Sequence, residues 1–265
     1  MYDTHVHSTF SPDAVSTIED YARLIDDKKF SGIGFTEHLD FLPECGAYRN
    51  LDYNSYVNTV KAYRNRGYEF YAGAEVDYAK QVEEEIKENL RQNHYDYTIC
   101  SVHMIDGISI SDGKNLERFR DVAVLKDTAE KYYNEVNFSI KAGMFDVIGH
   151  INIYKRYLTD EFFSSKALRD WLEEVEDEVA KACALSDKII EVNSSGLFSP
   201  ARSTCPGEDF LKRYYRYGGR MVSVGSDAHN AAHAGRGFEE VKEMLMRIGF
   251  KYILLPWDKE KPLML

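Results

Sequence analysis

The feature that most constrains this chain is a repeated exchange of two periodicities. Short apolar runs that read as strands alternate with longer stretches whose apolar residues recur at helical spacing, the pattern of an α/β protein with parallel strands. Seven strands are expected, at residues 2–7, 32–36, 69–76, 97–102, 145–149, 188–193 and 221–226. Helices are expected at 17–29, 54–66, 80–92, 116–142, 166–186 and 238–248, the first capped by Ser16 or Thr17 with acidic residues in its opening turn. Residues 251–255 read as an eighth, short strand or as a closing tail. No internal repeat, low-complexity tract or Pro/Gly/Ser-rich linker interrupts the 265 residues, so one domain over 1–265 is expected.

The polar residues that end these strands point to function. Tyr2-Asp3-Thr4-His5-Val6-His7-Ser8 opens the chain. Strand side chains alternate faces, so His5 and His7 point the same way and can grip one cation. Alone, such a pair is more often two polar residues on an exposed face. The later strands repeat the theme, with Thr36-Glu37-His38-Leu39-Asp40, Ala74-Glu75-Val76-Asp77, Ser101-Val102-His103, Gly149-His150, Glu191-Val192-Asn193 and Ser226-Asp227-Ala228-His229. Six of the eight histidines fall at these places, leaving His94 and His233 as ordinary surface residues. In a closed parallel barrel such ends converge on the C-terminal face, where active sites of these folds sit.

Mixed imidazole and carboxylate donors without thiolates suit Zn²⁺, Mn²⁺ or Fe²⁺. The four cysteines, Cys45, Cys100, Cys183 and Cys205, form no Cys-x-x-Cys pair and are read as free thiols. Forty-four acidic residues against 33 basic give a net charge of −11, which repels a polyanion, so no nucleic-acid partner is expected. A small phosphate ester needs only a local positive patch. Two arginines in loops after strands, Arg156 in Ile153-Tyr154-Lys155-Arg156 and Arg202 in Ser199-Pro200-Ala201-Arg202, carry the fork that matches phosphate oxygens. Asn193 and Glu191 are placed either to meet substrate or to support the site. Glu37 and Asp40, flanking His38, are candidates to accept the second ring N–H of a ligating histidine. No apolar run approaches a membrane span, and the first residues lack a basic-then-apolar secretion pattern, so a cytoplasmic protein is expected.

The ordered series His-x-His, Glu-His, Glu, His, Gly-His and Asp-Ala-His resembles the polymerase and histidinol phosphatase (PHP) superfamily, metal-dependent phosphoesterases on a distorted TIM-like (β/α)7 barrel. The resemblance covers residues 2 to about 230. Asp3-Thr4-His5-Val6-His7-Ser8, Phe35-Thr36-Glu37-His38-Leu39-Asp40, Ser101-Val102-His103 and Gly225-Ser226-Asp227-Ala228-His229, with a long connection between the fourth and fifth strands, are most similar to the histidinol-phosphate phosphatase branch.

The resemblance implies two to three divalent ions. His5, His7, Glu75 and Asp227 would hold the first, Glu75, His103 and His150 the second, and Asp13, His38 and His229 the third. Many superfamily members have histidine where this chain has Asp13. It further implies phosphate binding by Arg156 and Arg202. Paired ions about 3.5–4 Å apart would activate a bridging water as nucleophile, with Glu75 shared between them and Asp227 or His229 protonating the leaving group. The implied reaction is hydrolysis of L-histidinol phosphate to L-histidinol and phosphate. Alternatives are the same chemistry on nucleotides, phosphodiesters or phosphotyrosine, or a metal-binding regulatory module without activity.

Overall fold

The computed structural model describes residues 1–27 and 29–265. The described strands are β1 (Tyr2–Val6), β2 (Gly32–Asp40), β3 (Glu69–Asp77), β4 (Thr98–Ser101), β5 (Met104–Ile105), β6 (Ile108–Ser109), β7 (Val147–Ile148), β8 (Ile189–Asn193), β9 (Val222–Gly225), β10 (Tyr252–Leu255) and β11 (Asp258–Met264). Seven of these form one parallel sheet in the order β1-β2-β3-β4-β7-β8-β9. Its two edges meet without a regular ladder. Val6 bridges Ala228, the Asp227 N–H donates to the His5 carbonyl (2.8 Å), and the His7 N–H donates to the Ala228 carbonyl (2.9 Å). The result is a nearly closed barrel.

Outside it lie α1 (Ile18–Asp26), α2 (Tyr53–Arg64), α3 (Glu83–Gln92), α4 (Val122–Ala142), α5 (Lys166–Leu185), α6 (Glu208–Arg216) and α7 (Phe238–Ile248). The period of two sorts each strand's side chains. Ile33, Phe35, Phe70 and Ala72 point outward and pack with Ile18, Tyr21, Tyr56 and Val60 of α1 and α2. Ala74, Val76, Cys100, Ile148, Ile190, Val192, Val222 and Val224 point outward into the core that includes α4 to α7. Each fully buried branched side chain contributes about 1.5–3 kcal/mol.

Several elements differ from the expectation. Thr17 caps α1 in a reciprocal box with Asp20; residue 28 of the expected helix 17–29 lies outside the described residues. The expected helix 116–142 is divided. A 3₁₀ turn at Gly113–Arg120 gives way to α4 at Asp121, whose carboxylate accepts from the Ala123 and Val124 N–H groups and so starts a new helix. The expected helix 80–92 likewise begins as a 3₁₀ turn, Lys80–Val82. Helix α6 was not anticipated, because its nine charge-rich residues offer only Phe210, Leu211 and Tyr214 for burial.

Residues 251–255 do not join the barrel; β10 pairs antiparallel with β11. The turn between them carries Trp257, which stacks on Tyr71 with centroids 4.1 Å apart. That contact seats the hairpin at the N-terminal end of the barrel, where Tyr97 lies across the interior and donates to the Thr4 carbonyl (2.7 Å). Glycine is required opposite it, since a Cβ on Gly34 would come within 2.1 Å of the Tyr97 hydroxyl.

Candidate metal centre

At the other end of the barrel the inward columns finish in polar groups. The β2–β3 register sets His38 beside Glu75 and, one row higher, Asp40 beside Asp77. Glu75, 1% exposed, is the hub. His5 Nε2 and His7 Nε2 are 3.1 Å apart and lie 3.5 and 3.3 Å from Glu75 Oε2. Asp227 Oδ1 completes the set at 3.7 and 3.5 Å from the same two nitrogens. A tetrahedral ion with bonds of about 2.0–2.1 Å needs donors about 3.3–3.4 Å apart, so the atoms of His5, His7 and Glu75 fit three of its corners, with Asp227 Oδ1 close to both nitrogens.

The second carboxylate oxygen of Glu75 faces another group. His103 Nε2 and His150 Nε2 are 3.2 Å apart and lie 3.4 and 2.7 Å from Glu75 Oε1. In a third group Asp13 Oδ2 lies 3.4 Å from His38 Nε2 and 3.2 Å from His229 Nε2, with the two nitrogens 3.4 Å from each other. His7 also approaches this group, so His7, His38 and His229 converge as well. Glu75 Oε2 is buried without a hydrogen-bond partner although three imidazoles surround it. An orphaned carboxylate oxygen among ring nitrogens is what a bound cation would satisfy, and the donor set fits divalent transition metals.

The imidazoles are aimed by hydrogen bonds from behind. His5 Nδ1–H donates to Glu191 Oε1 (2.6 Å), leaving Nε2 for the centre, and Glu191 Oε2 accepts the His150 backbone N–H (2.7 Å). Gly225 makes room for this, because a Cβ there would lie 2.5 Å from Glu191 Oε1. His7 Nδ1–H donates to Ser11 Oγ (3.2 Å), whose O–H donates to Glu37 Oε2 (2.6 Å). Glu37 therefore supports His7 rather than His38. Asp40 makes no hydrogen bond to His38; the His38 Nδ1 lies 3.1 Å from Glu75 Oε2 instead.

Charge follows geometry. Burial raises the Glu75 carboxyl, but facing His5 and His103 hold it well below the carboxylate range. Burial likewise raises Asp227, and His5, His7 and His229 pull it well below. Burial, reinforced by His229 and His38, drives His7 down to about 4. For His103 the lowering by burial is overcome by Glu75 and Asp77, and it rises to about 9. Asp227 also holds a left-handed backbone, φ 54°, at the barrel seam.

A cavity of about 620 Å³ opens over the centre, lined by Asp13, His38, Glu75, His103, Asp227, His229 and Arg156 among others. Arg156 follows the turn Ile153–Lys155 and reaches Ser199 Oγ at 3.5 Å. Arg202 is exposed and outside the lining of this cavity. Asn193 is buried beneath it, its Oδ1 accepting from Ser195 N–H (3.0 Å) and O–H (2.6 Å) and its amide donating to Glu191 (3.4 Å). An arginine not singled out from sequence, Arg236, lines an adjoining cavity with Asp227, His229 and Arg156, and stacks 3.5 Å over Phe198. The same logic of an arginine in a loop after a strand, applied beyond β9, would have found it.

Fold and site together define a barrel hydrolase built around imidazole and carboxylate donors. The chain belongs to the PHP domain family, whose model matches residues 3–195. A protein of Thermotoga maritima named probable histidinol-phosphatase is 28% identical over 262 residues, covering 98% of this chain and 97% of that protein. The histidinol-phosphatase of Lactococcus lactis subsp. lactis is 24% identical over 94% of this chain and 91% of its own. The crystal structure of the Lactococcus histidinol phosphate phosphatase, complexed with zinc, L-histidinol and phosphate, superposes with a TM-score of 0.78 at 24% identity, covering 94% of each chain. Among the described residues no helix is long and apolar enough to cross a membrane.

Proposed function

We propose that this protein is a metal-dependent phosphomonoester hydrolase that converts L-histidinol phosphate to L-histidinol and phosphate. The observation that carries the reading is the convergence of three donor groups around Glu75 at the open mouth of the barrel. Full-length likeness to relatives named histidinol-phosphatase supports the substrate. Two to three divalent ions are proposed, zinc, manganese or iron. They would be held by His5, His7, Glu75 and Asp227, by Glu75, His103 and His150, and by Asp13, His38 and His229.

Such ions, when bound, lower the pKa of water and neutralise charge on phosphoryl oxygens. The chain's own residues do the rest. Glu75, held ionised, spans two donor groups with its two oxygens and fixes their spacing. Asp227, on the cavity lining, is the group placed to take a proton from the attacking water and return it to the departing alkoxide. His229 Nδ1–H donates to the Asp227 carbonyl (3.0 Å), which presents Nε2 toward Asp13. Arg156, on the cavity wall, supplies paired N–H donors for the phosphoryl oxygens. The four cysteines are free thiols, in keeping with a cytoplasmic enzyme.

The test is phosphate release from L-histidinol phosphate, nucleotides, a phosphotyrosine peptide and an aryl phosphate, each with added Zn²⁺, Mn²⁺ or Fe²⁺. The expected result is highest kcat/KM for L-histidinol phosphate and loss of turnover with chelator. A nucleotide or diester favoured tenfold, about 1.4 kcal/mol of transition-state preference, overturns the substrate. Turnover that survives chelation overturns the metal centre.

A further inference from the structure

Between His150 and Arg156 the chain makes one turn, and a carboxylate of the outer helical layer grips it. Asn152 takes a left-handed backbone, φ 72°, and Ile153–Lys155 follow as a 3₁₀ turn. Asparagine tolerates that region, and such a residue stays there where its neighbours over-determine it. The Asn152 N–H donates to the Tyr132 hydroxyl (2.9 Å) and its Oδ1 accepts from the Tyr133 hydroxyl (2.7 Å). Its side-chain amide donates to Glu176 Oε1 (3.3 Å), and the ammonium of Lys155 bonds the same oxygen.

Glu176 lies on α5 and is 7% exposed. Its other oxygen accepts from Arg213 of α6 (3.3 Å). An ion pair that merely joined α5 to α6 would need Arg213 alone, whereas Glu176 gives one whole oxygen to the turn. Charged donors on both oxygens of a buried carboxylate make a rigid anchor, costly to leave half-paired. Glu176 does not line the cavity over the metal centre; it lines an adjoining one of about 440 Å³ with Asn152, Lys155 and Arg156. Whatever it does there, it does through those neighbours.

The two adjacent cations of the turn have opposite fates. Lys155 is neutralised by Glu176. Arg156 has no carboxylate partner among the described residues, lines the metal cavity and reaches only Ser199 Oγ (3.5 Å). Its carbonyl accepts from the Ala201 N–H (3.1 Å), so the turn is tied to the loop after β8 as well. A guanidinium matches phosphate oxygens through the fixed geometry of its fork, which makes its aim matter as much as its charge.

We propose that Glu176 is a positioning residue for phosphate binding, acting through Asn152 and Lys155 to hold the turn that aims Arg156 into the cavity. The proposal rests on the phosphomonoesterase reading and adds to it a residue of α5 that touches neither substrate nor metal.

The test is a double-mutant cycle read by calorimetric titration of zinc-loaded protein with inorganic phosphate. Glu176→Gln keeps the shape of the side chain and removes its charge; it should raise the Kd for phosphate about tenfold and leave bound zinc unchanged. In an Arg156→Ala background the same change should alter the Kd by less than about twofold, because the residue through which it acts is gone. A merely structural role would lower the unfolding midpoint without this coupling. Lys155→Met keeps the aliphatic stem, leaves Glu176 paired with Arg213, and should raise the Kd about three- to tenfold, again only where Arg156 is present.

Wild-type affinity in Glu176→Gln, or in Lys155→Met where Glu176→Gln does not fold, overturns the proposal. So does an effect that persists in full beside Arg156→Ala, an Arg156→Ala variant that binds phosphate as wild type does, or loss of zinc, which would make Glu176 a support of His150. Phosphate release from an aryl phosphate keeps the two readings apart. If wild-type protein releases phosphate and the cycle shows no coupling, only the positioning role fails; if metal-loaded protein hydrolyses no ester, the phosphatase reading fails while the titrations still decide the role of Glu176.

Discussion

The two mouths of the barrel are made by the same strands and obey opposite rules. At the N-terminal mouth Tyr97 crosses the interior, Trp257 stacks on Tyr71, and Leu254, Ile99, Val147 and Ile189 fill the space between. At the C-terminal mouth Glu75 keeps an orphaned oxygen and imidazoles crowd within 3.1–3.4 Å of one another. Strand β3 carries the whole gradient in one inward column, Tyr71, Gly73, Glu75 and Asp77. The lower residues gain from burial in the ordinary way. The upper ones are desolvated donors whose cost without bound cations is offset by the rest of the fold. The division of labour is stability below and chemistry above, carried by one set of strands.

The largest expected effect breaks the upper mouth. Glu75→Gln removes the charge shared between two donor groups, so bound metal should fall by at least one equivalent and kcat by several orders of magnitude. Elemental analysis and steady-state kinetics check both. Chelation should also lower the unfolding midpoint of the wild-type protein, since ions that bind only the folded state stabilise it by mass action, and should lower it much less in Glu75→Gln. Full metal content and activity in the variant would remove the basis for contrasting the two ends.

A smaller effect is expected from the lower mouth, and of a different kind. Trp257→Ala deletes a half-buried indole from its stack on Tyr71, which should cost about 2–3 kcal/mol of unfolding free energy. The midpoint should drop while kcat/KM and metal content stay within about twofold. An equally stable variant with reduced turnover would mean that the hairpin communicates with the site, and the separation of roles would fail.

How much of this was readable in the sequence follows the same divide. The convergence of His5, His7, His38, Glu75, His103, His150 and Asp227 was legible because a period of two fixes the face and a parallel barrel fixes the end. The supports were not. That Glu191 reaches His5 from two strands away across the seam, or that Glu37 reaches His7 through Ser11, depends on which oxygen meets which ring across the barrel. The closing hairpin was half-legible: residues 252–255 have strand composition, but their partner 258–264 is dominated by charge, and the Trp257–Tyr71 contact spans most of the chain. Helix α6 and the break at Asp121 were hidden for local reasons, a short apolar face and a capping carboxylate inside a continuous periodic run.

Loops are where period and register lose their grip, and the two arginines read from sequence as equals show it. Both follow a barrel strand, yet Arg156 lines the cavity and Arg202 projects outward from a left-handed turn, φ 50°. Arg156→Ala should therefore cost roughly ten- to hundredfold in kcat/KM, the range of a charge-assisted contact worth about 1.5–3 kcal/mol, with metal content intact. Arg202→Ala should change kcat/KM by less than about twofold and stability by less than about 0.5 kcal/mol, as for an exposed residue away from any network. The pair sharpens the comparison between the ends of the barrel, because both residues belong to the upper mouth and only one faces into it. A loss at Arg202 equal to that at Arg156 would mean that the loop after β8 folds inward when substrate binds, and membership of the site would then depend on loop closure as well as on strand register.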